Sequence, residues 1–124
     1  GAERQPTSDC RQSLQQSRRE DFIHHYETSH SVIGRRLLGH LWVKYVRNYP
    51  KALMEYQPED NSVDDSYDAV TELWFKDEAA VEEMARIINI PENNKLILED
   101  EEKFQERKLT RLLMVDEVDT GTTL

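Results

Sequence analysis

Three of the four histidines, His24, His25 and His30, lie within seven positions, in the run Asp21-Phe22-Ile23-His24-His25-Tyr26-Glu27-Thr28-Ser29-His30. Imidazole changes charge near neutral pH and also ligates metals, so such a run could move protons or hold an ion. Spacing separates the two. Four residues advance about 400° along an α-helix, which puts Phe22, Tyr26 and His30 on one face: an apolar anchor, a phenol and an imidazole. His24 falls with Glu20, Glu27 and Thr28 on a more polar face, and His25 at the boundary, near Phe22 and Ser29. Adjacent residues diverge by about 100° on a helix. His25 and His30 are five apart, off the i,i+4 spacing of a His-Glu-x-x-His zinc helix, so the expectation is no metal. Proton transfer remains. Moving a proton on or off a carbon beside a carbonyl needs an acid/base group in a pocket that excludes water. His30 is the leading candidate for that group, and His25 a reserve.

Other catalytic signatures are missing. The sequence has no Gly-rich phosphate loop, no Gly-x-Ser-x-Gly elbow and no paired cysteines. Its single thiol, Cys10, cannot form an internal disulfide, which favours a reducing, cytoplasmic setting. A net charge of −9 argues against nucleic acid, whose binding needs clustered Lys and Arg facing phosphates. The charge is uneven: residues 1–56 carry nine Lys/Arg against six Asp/Glu, and residues 57–124 seven against nineteen. No apolar run nears the roughly 20 residues that span a bilayer, and no signal-peptide core is visible, so no membrane partner is expected.

The elements that must position these residues follow from periodicity. With 124 residues and 37% hydrophobic side chains, one domain with one modest core is expected. Residues 1–16 are polar and read as an N-terminal extension or a degenerate first strand around Cys10–Leu14. Ser17 and Glu20 form a Ser-x-x-Glu capping box, so the first helix is predicted from about Arg18 to Ser29 or His30. Gly34 and Gly39 then bracket a connecting loop with at most a helical turn. Leu41–Tyr49 is a strand stopped by Pro50, with Leu41, Val43, Tyr45, Arg47 and Tyr49 facing one side. A long loop over residues 50–66 leads to a second strand, Tyr67–Phe75, in which Ala69, Thr71, Leu73 and Phe75 alternate with Val70, Glu72 and Trp74. Asp77 caps a helix from Glu78 to about Ile88, whose stripe Ala80, Val81, Met84, Ile87 and Ile88 is core. Pro91–Asn94 breaks that helix, Leu96–Leu98 leads into an acidic turn or short helix over 99–104, and Thr110–Val118 is a closing strand before a tail, 119–124. The order is (β)αββαβ, an α+β ferredoxin-like arrangement with helices on one sheet face. The other face would expose Trp74 and calls for cover by a second subunit.

Phe22-Ile23-His24-His25-Tyr26-Glu27-Thr28-Ser29-His30 resembles the helix signature of EthD-domain proteins, roughly Phe-x-x-x-Tyr-Glu-x-x-His. Tyr45–Tyr49 and Tyr67–Phe75 are similar to that family's second and third strands, and Asp100-x-x-x-Phe104 to its acidic turn. The likeness covers about residues 17–118. It implies a dimeric α+β barrel, a homodimer of ferredoxin-like βαββαβ protomers packed sheet to sheet, each with a pocket between its helices and its sheet. The family opens with a strongly apolar first strand, which residues 1–16 do not resemble: either a poor strand around Asp9–Leu14 fills its place or the sheet is one strand short. The resemblance further implies a cofactor-independent lyase or cyclase (decarboxylase, dehydratase or ring-closing enzyme) for an aromatic or polyketide-like small molecule of secondary metabolism. His30 would be the general acid/base and Tyr26 a hydrogen-bond donor or pocket wall. Asp100 would either orient His30 or cap a helix. Phe22 and His25 would line the substrate site, Tyr45 and Trp74 would stack on the substrate ring or serve as core or dimer contacts, and Arg35 or Arg36 would hold an acidic group or be solvated. His40 is a loop residue. The rival expectations are a non-catalytic small-molecule-binding or accessory barrel and a cofactor-free monooxygenase.

Overall fold

The computed structural model describes residues 8–51 and 67–124, with the backbone alone for 8–16. Most of the loop expected over 50–66 and the first seven residues therefore lie outside the described residues. The fold is mixed α+β. Helix α1 covers Ser8–His25, a π-helical turn Tyr26–His30 follows, and α2 spans Ser31–Leu38. A 3₁₀ turn, Gly39–Leu41, delivers the chain to strand β1, Trp42–Asn48; β2 is Val70–Phe75, α3 Glu78–Ile88 and α4 Pro91–Glu102, with a last 3₁₀ turn at Arg107–Leu109.

Four expectations are corrected. Residues 9–14 are helical, not a strand, and Ser17 lies inside α1 instead of capping it. Helix α1 holds three Gln and three Arg, and its first β-branched residue is Ile23, a composition that favours helix over strand. Second, helix continues through Gly34. The glycine marks a close approach, since a Cβ there would lie 3.5 Å from Trp42 Cη2 and 3.8 Å from the Tyr45 hydroxyl. Third, Pro91 ends α3 but also opens α4 at its first turn, where its missing N–H costs nothing. Fourth, Thr110–Val118 joins no ladder among the described residues. Leu112, Leu113, Met114, Val115 and Val118 are exposed there. A strand persists only beside a neighbour that takes up its N–H and C=O groups. The helical residues 8–25 supply none.

Within the described residues β1 and β2 form a two-stranded antiparallel sheet, pairing Trp42 with Phe75, Lys44 with Trp74, Tyr45 with Leu73, Arg47 with Thr71 and Asn48 with Val70. The register shifts between Trp42 and Lys44. This bulge changes the alternation expected for β1: Val43 becomes an exposed extra residue, and Trp42 turns to the side of Tyr45, their ring centroids 4.6 Å apart. The inner face is thus Trp42, Tyr45, Arg47, Thr71, Leu73 and Phe75; the outer face holds Lys44, Val46, Asn48, Val70, Glu72 and Trp74.

Leu38 and Leu41 from the α2 end meet Ala80, Met84 and Ile87 of α3, with Leu37, Trp42, Leu73, Phe75 and Ile88 packed around them. The α3 stripe lies as its spacing predicts, and Asp77 caps the helix by accepting the Ala80 N–H at 2.8 Å. This core sits at one end of the sheet, and the histidine run lies toward the other, over Thr71 and Arg47.

Candidate functional site

The π-turn decides what the histidines can do. Its closing bond runs from the Ser31 N–H to the Tyr26 carbonyl, five residues back. Such a turn holds one extra residue, so residues five apart come closer to the same side of the helix than they do in an α-helix. His25 and His30, mismatched for an α-helical pair, are brought to the same side, and both reach Asp100.

Asp100 comes from the last turn of α4 and is 3% exposed, although Glu99 and Glu102 beside it face outward. It accepts three hydrogen bonds. The Ser29 hydroxyl donates to Oδ1 at 2.6 Å, His25 Nε2 donates to Oδ1 at 3.1 Å, and His30 Nδ1 donates to Oδ2 at 2.9 Å. Burial pushes the carboxyl up, and the bonds from Ser29, His30 and His25 overcome it, holding Asp100 below its ordinary value. An ionised carboxylate only accepts, so each facing nitrogen must carry the hydrogen. The geometry fixes the tautomers of the neutral rings: Nδ1 is then the free nitrogen of His25 and Nε2 that of His30. Neither free nitrogen has a hydrogen-bond partner among the described residues. Among the described residues no group of three His, Cys, Asp or Glu side chains is arranged to hold a metal ion.

Aromatic rings close round this centre. Tyr26 is buried, its ring edge-on to His30 at 5.3 Å, to Phe22 at 6.0 Å and to Tyr49 at 6.0 Å. Its hydroxyl shares a 2.7 Å hydrogen bond with Thr71 on β2, which fixes the phenol toward the sheet. Phe104, just past α4, packs on Phe22, His25, His30 and Tyr26.

A second cluster braces the same turn from the sheet. Glu27 accepts from Arg47 Nε at 2.8 Å and Nη2 at 2.6 Å, a two-pronged pair, and the Tyr49 hydroxyl donates to the same carboxylate. The Arg47 bonds hold the Glu27 carboxyl down at about 2, against the opposing effect of burial. Burial, aided by the bond to Glu27, pushes the Tyr49 phenol up. Tyr45 lies beneath the Arg47 guanidinium at 4.5 Å, and burial, reinforced by the neighbouring Tyr26 phenol, pushes its hydroxyl up too.

Glu27 and Asp100 both have folded-state values below their unfolded ones. Their stabilisation is therefore fully present above the unfolded carboxyl range and is lost as pH falls toward the folded values. Urea midpoints should be level above pH 4.5, the ordinary Glu value, and fall steadily toward about 2. Glu27→Gln should flatten part of that decline; a wild-type midpoint that stays level to pH 2 would contradict the ion-pair assignment.

Of the residues singled out by sequence, His30, His25, Tyr26, Phe22 and Asp100 come together here, and Tyr45 borders them beneath Arg47. Two do not. Trp74 is on the outer sheet face, its Nε1 donating to Glu72 at 3.3 Å and the Lys44 ammonium 5.1 Å from its ring. Register keeps it away from this cluster, because the cross-strand partner of Lys44 must share that residue's face. Arg35 is exposed on α2 and acts on Glu27 only through its charge. Sequence reasoning passed over Ser29, Thr71 and the Glu27–Arg47–Tyr49 cluster. The one signal pointing to Ser29 was the five-residue histidine spacing, which has meaning only once a π-turn is assumed.

A family model described as the EthD domain fits residues 15–108. No curated protein and no solved structure matches.

Proposed function

The chain belongs to the EthD domain family, and on that premise we propose that it is a cofactor-independent lyase or cyclase acting on an aromatic or polyketide-like intermediate, with His30 as proton shuttle. The observation that carries this reading is the 2.9 Å bond from His30 Nδ1 to Asp100. Anchored by that bond, the imidazole keeps Nε2 as the base, and the carboxylate stabilises the imidazolium that forms. Nε2 removes a proton from carbon between two carbonyls, leaving an enolate. In dehydration the imidazolium returns that proton to the departing hydroxyl, which leaves as water. In decarboxylation no proton is removed first: the C–C bond to the carboxylate breaks with its electron pair forming the enolate as CO2 departs, and the imidazolium form of His30 protonates the enolate carbon. Phe22, Tyr26 and Tyr49 keep water from the enolate. The same reading places the chain in a ferredoxin-like dimeric barrel, two protomers joined across their outer sheet faces. Val70, 49% exposed on this face, supports it.

Mass spectrometry after incubation with aromatic β-keto acids tests the activity. Loss of CO2 or of water from at least one of them is expected, at a rate above the buffer control. Unchanged substrates across a panel bearing one, two and three rings would contradict it.

A further inference from the structure

Phe104 is the ring on which the site converges. Its centroid lies 4.7 Å from His25, 5.1 Å from His30, 5.2 Å from Phe22 and 5.5 Å from Tyr26. Both imidazoles held by Asp100 thus abut one phenyl ring, and each has a nitrogen with no hydrogen-bond partner among the described residues. A phenyl group is a poor neighbour for two such nitrogens, because it neither donates nor accepts. A planar ring of the same size bearing hydroxyl or keto oxygens would keep the ring contacts and satisfy the nitrogens as well.

The backbone under Phe104 is secured independently of its ring. The Lys103 N–H donates to the Asp100 carbonyl at 3.1 Å, and the N–H groups of Phe104 and Gln105 donate to the Glu101 carbonyl at 3.2 and 2.8 Å. Arg107 pairs with the Glu101 carboxylate at 3.0 Å. Rotation about the side-chain bonds of Phe104 alone would empty the space between the imidazoles without breaking any of these.

We propose that Phe104 stands in the resting protein where the substrate's ring goes, and that its swing outward gates the site and selects a single oxygenated aromatic ring. The proposal rests on the reading that His30 and Asp100 lie at the substrate site. Binding in wild type then carries the cost of displacing Phe104, since apparent affinity scales with the fraction of open protein.

The test uses 4-methylphenol, with affinity measured by calorimetry on the whole chain. Phe104→Ala should bind it roughly tenfold more tightly than wild type, Phe104→Leu should fall between them, and Phe104→Trp should bind none. In the Ala variant, saturating 4-methylphenol should shift the ring-proton NMR signals of both His25 and His30, which a merely structural role for Phe104 would not produce. Should the Ala variant fail to fold, the Leu variant carries the same comparison. Equal affinity in wild type and the shortened variants, no binding by any of them, or His25 and His30 signals unmoved at saturation would overturn the proposal. Turnover is not read here. An intact affinity order beside a fully active His30 variant would remove the proton shuttle and leave the gate, and a flat order beside an inactive one would do the reverse.

Discussion

Asp100→Asn is expected to slow turnover on the order of 10²–10⁴-fold, the range that positioned acid/base catalysis contributes, while leaving most of the fold intact. The asymmetry follows from the carboxylate's partners. Oδ1 serves Ser29 and His25, and Oδ2 serves His30 alone. An Asn amide keeps most by setting its oxygen at the Oδ1 position and its NH2 toward His30. That retains two bonds and confronts His30 Nδ1 with a donor, so the ring must take its other tautomer and hold its hydrogen on Nε2. The base is then blocked, although the side chain has nearly its original shape. The stability cost should be about 1–3 kcal/mol, that of one altered buried hydrogen bond to a charged group. Nitrogen NMR of His30 would show the tautomer change directly. An Asp100→Asn protein with wild-type turnover would make Asp100 a structural residue only.

Met84→Ala is expected to have the largest effect on stability, about 2–5 kcal/mol by comparison with other buried large-to-small changes. The core is small: Leu38, Leu41, Ala80, Met84 and Ile87 are its buried members, and Met84 is 8% exposed among them. With each 1 kcal/mol shifting the melting temperature by roughly 4 °C, where the ranges for smaller and larger domains meet, calorimetry should show a drop of about 8–20 °C. A change of only a degree or two would mean that α3 packs elsewhere than on the α2 end.

What could be read from the sequence was whatever depends on local period and caps. The α3 stripe with its Asp77 cap and the two central strands are set by residues a few positions apart, and they lie where periodicity puts them. The shared face of Phe22, Tyr26 and His30 was equally legible. What escaped were features set by nonlocal partners. The bulge at Val43 depends on how β1 meets β2, the helical passage of Gly34 on the approach of Trp42, and the lack of a ladder for Thr110–Val118 among the described residues on what residues 8–25 become. The π-turn is the most consequential of these. It inserts one residue into a helical turn, and so brings two histidines whose spacing argued only against a zinc helix onto one carboxylate.

The central claim is that His30 carries the proton. It is tested most directly by single-turnover rates of wild type and His30→Ala on a β-keto acid that the wild type converts, with folding of the variant confirmed by circular dichroism. The expected result is a folded protein slowed about 10²-fold or more, the lower bound for losing a positioned general base. A folded His30→Ala protein turning over at the wild-type rate would contradict the account.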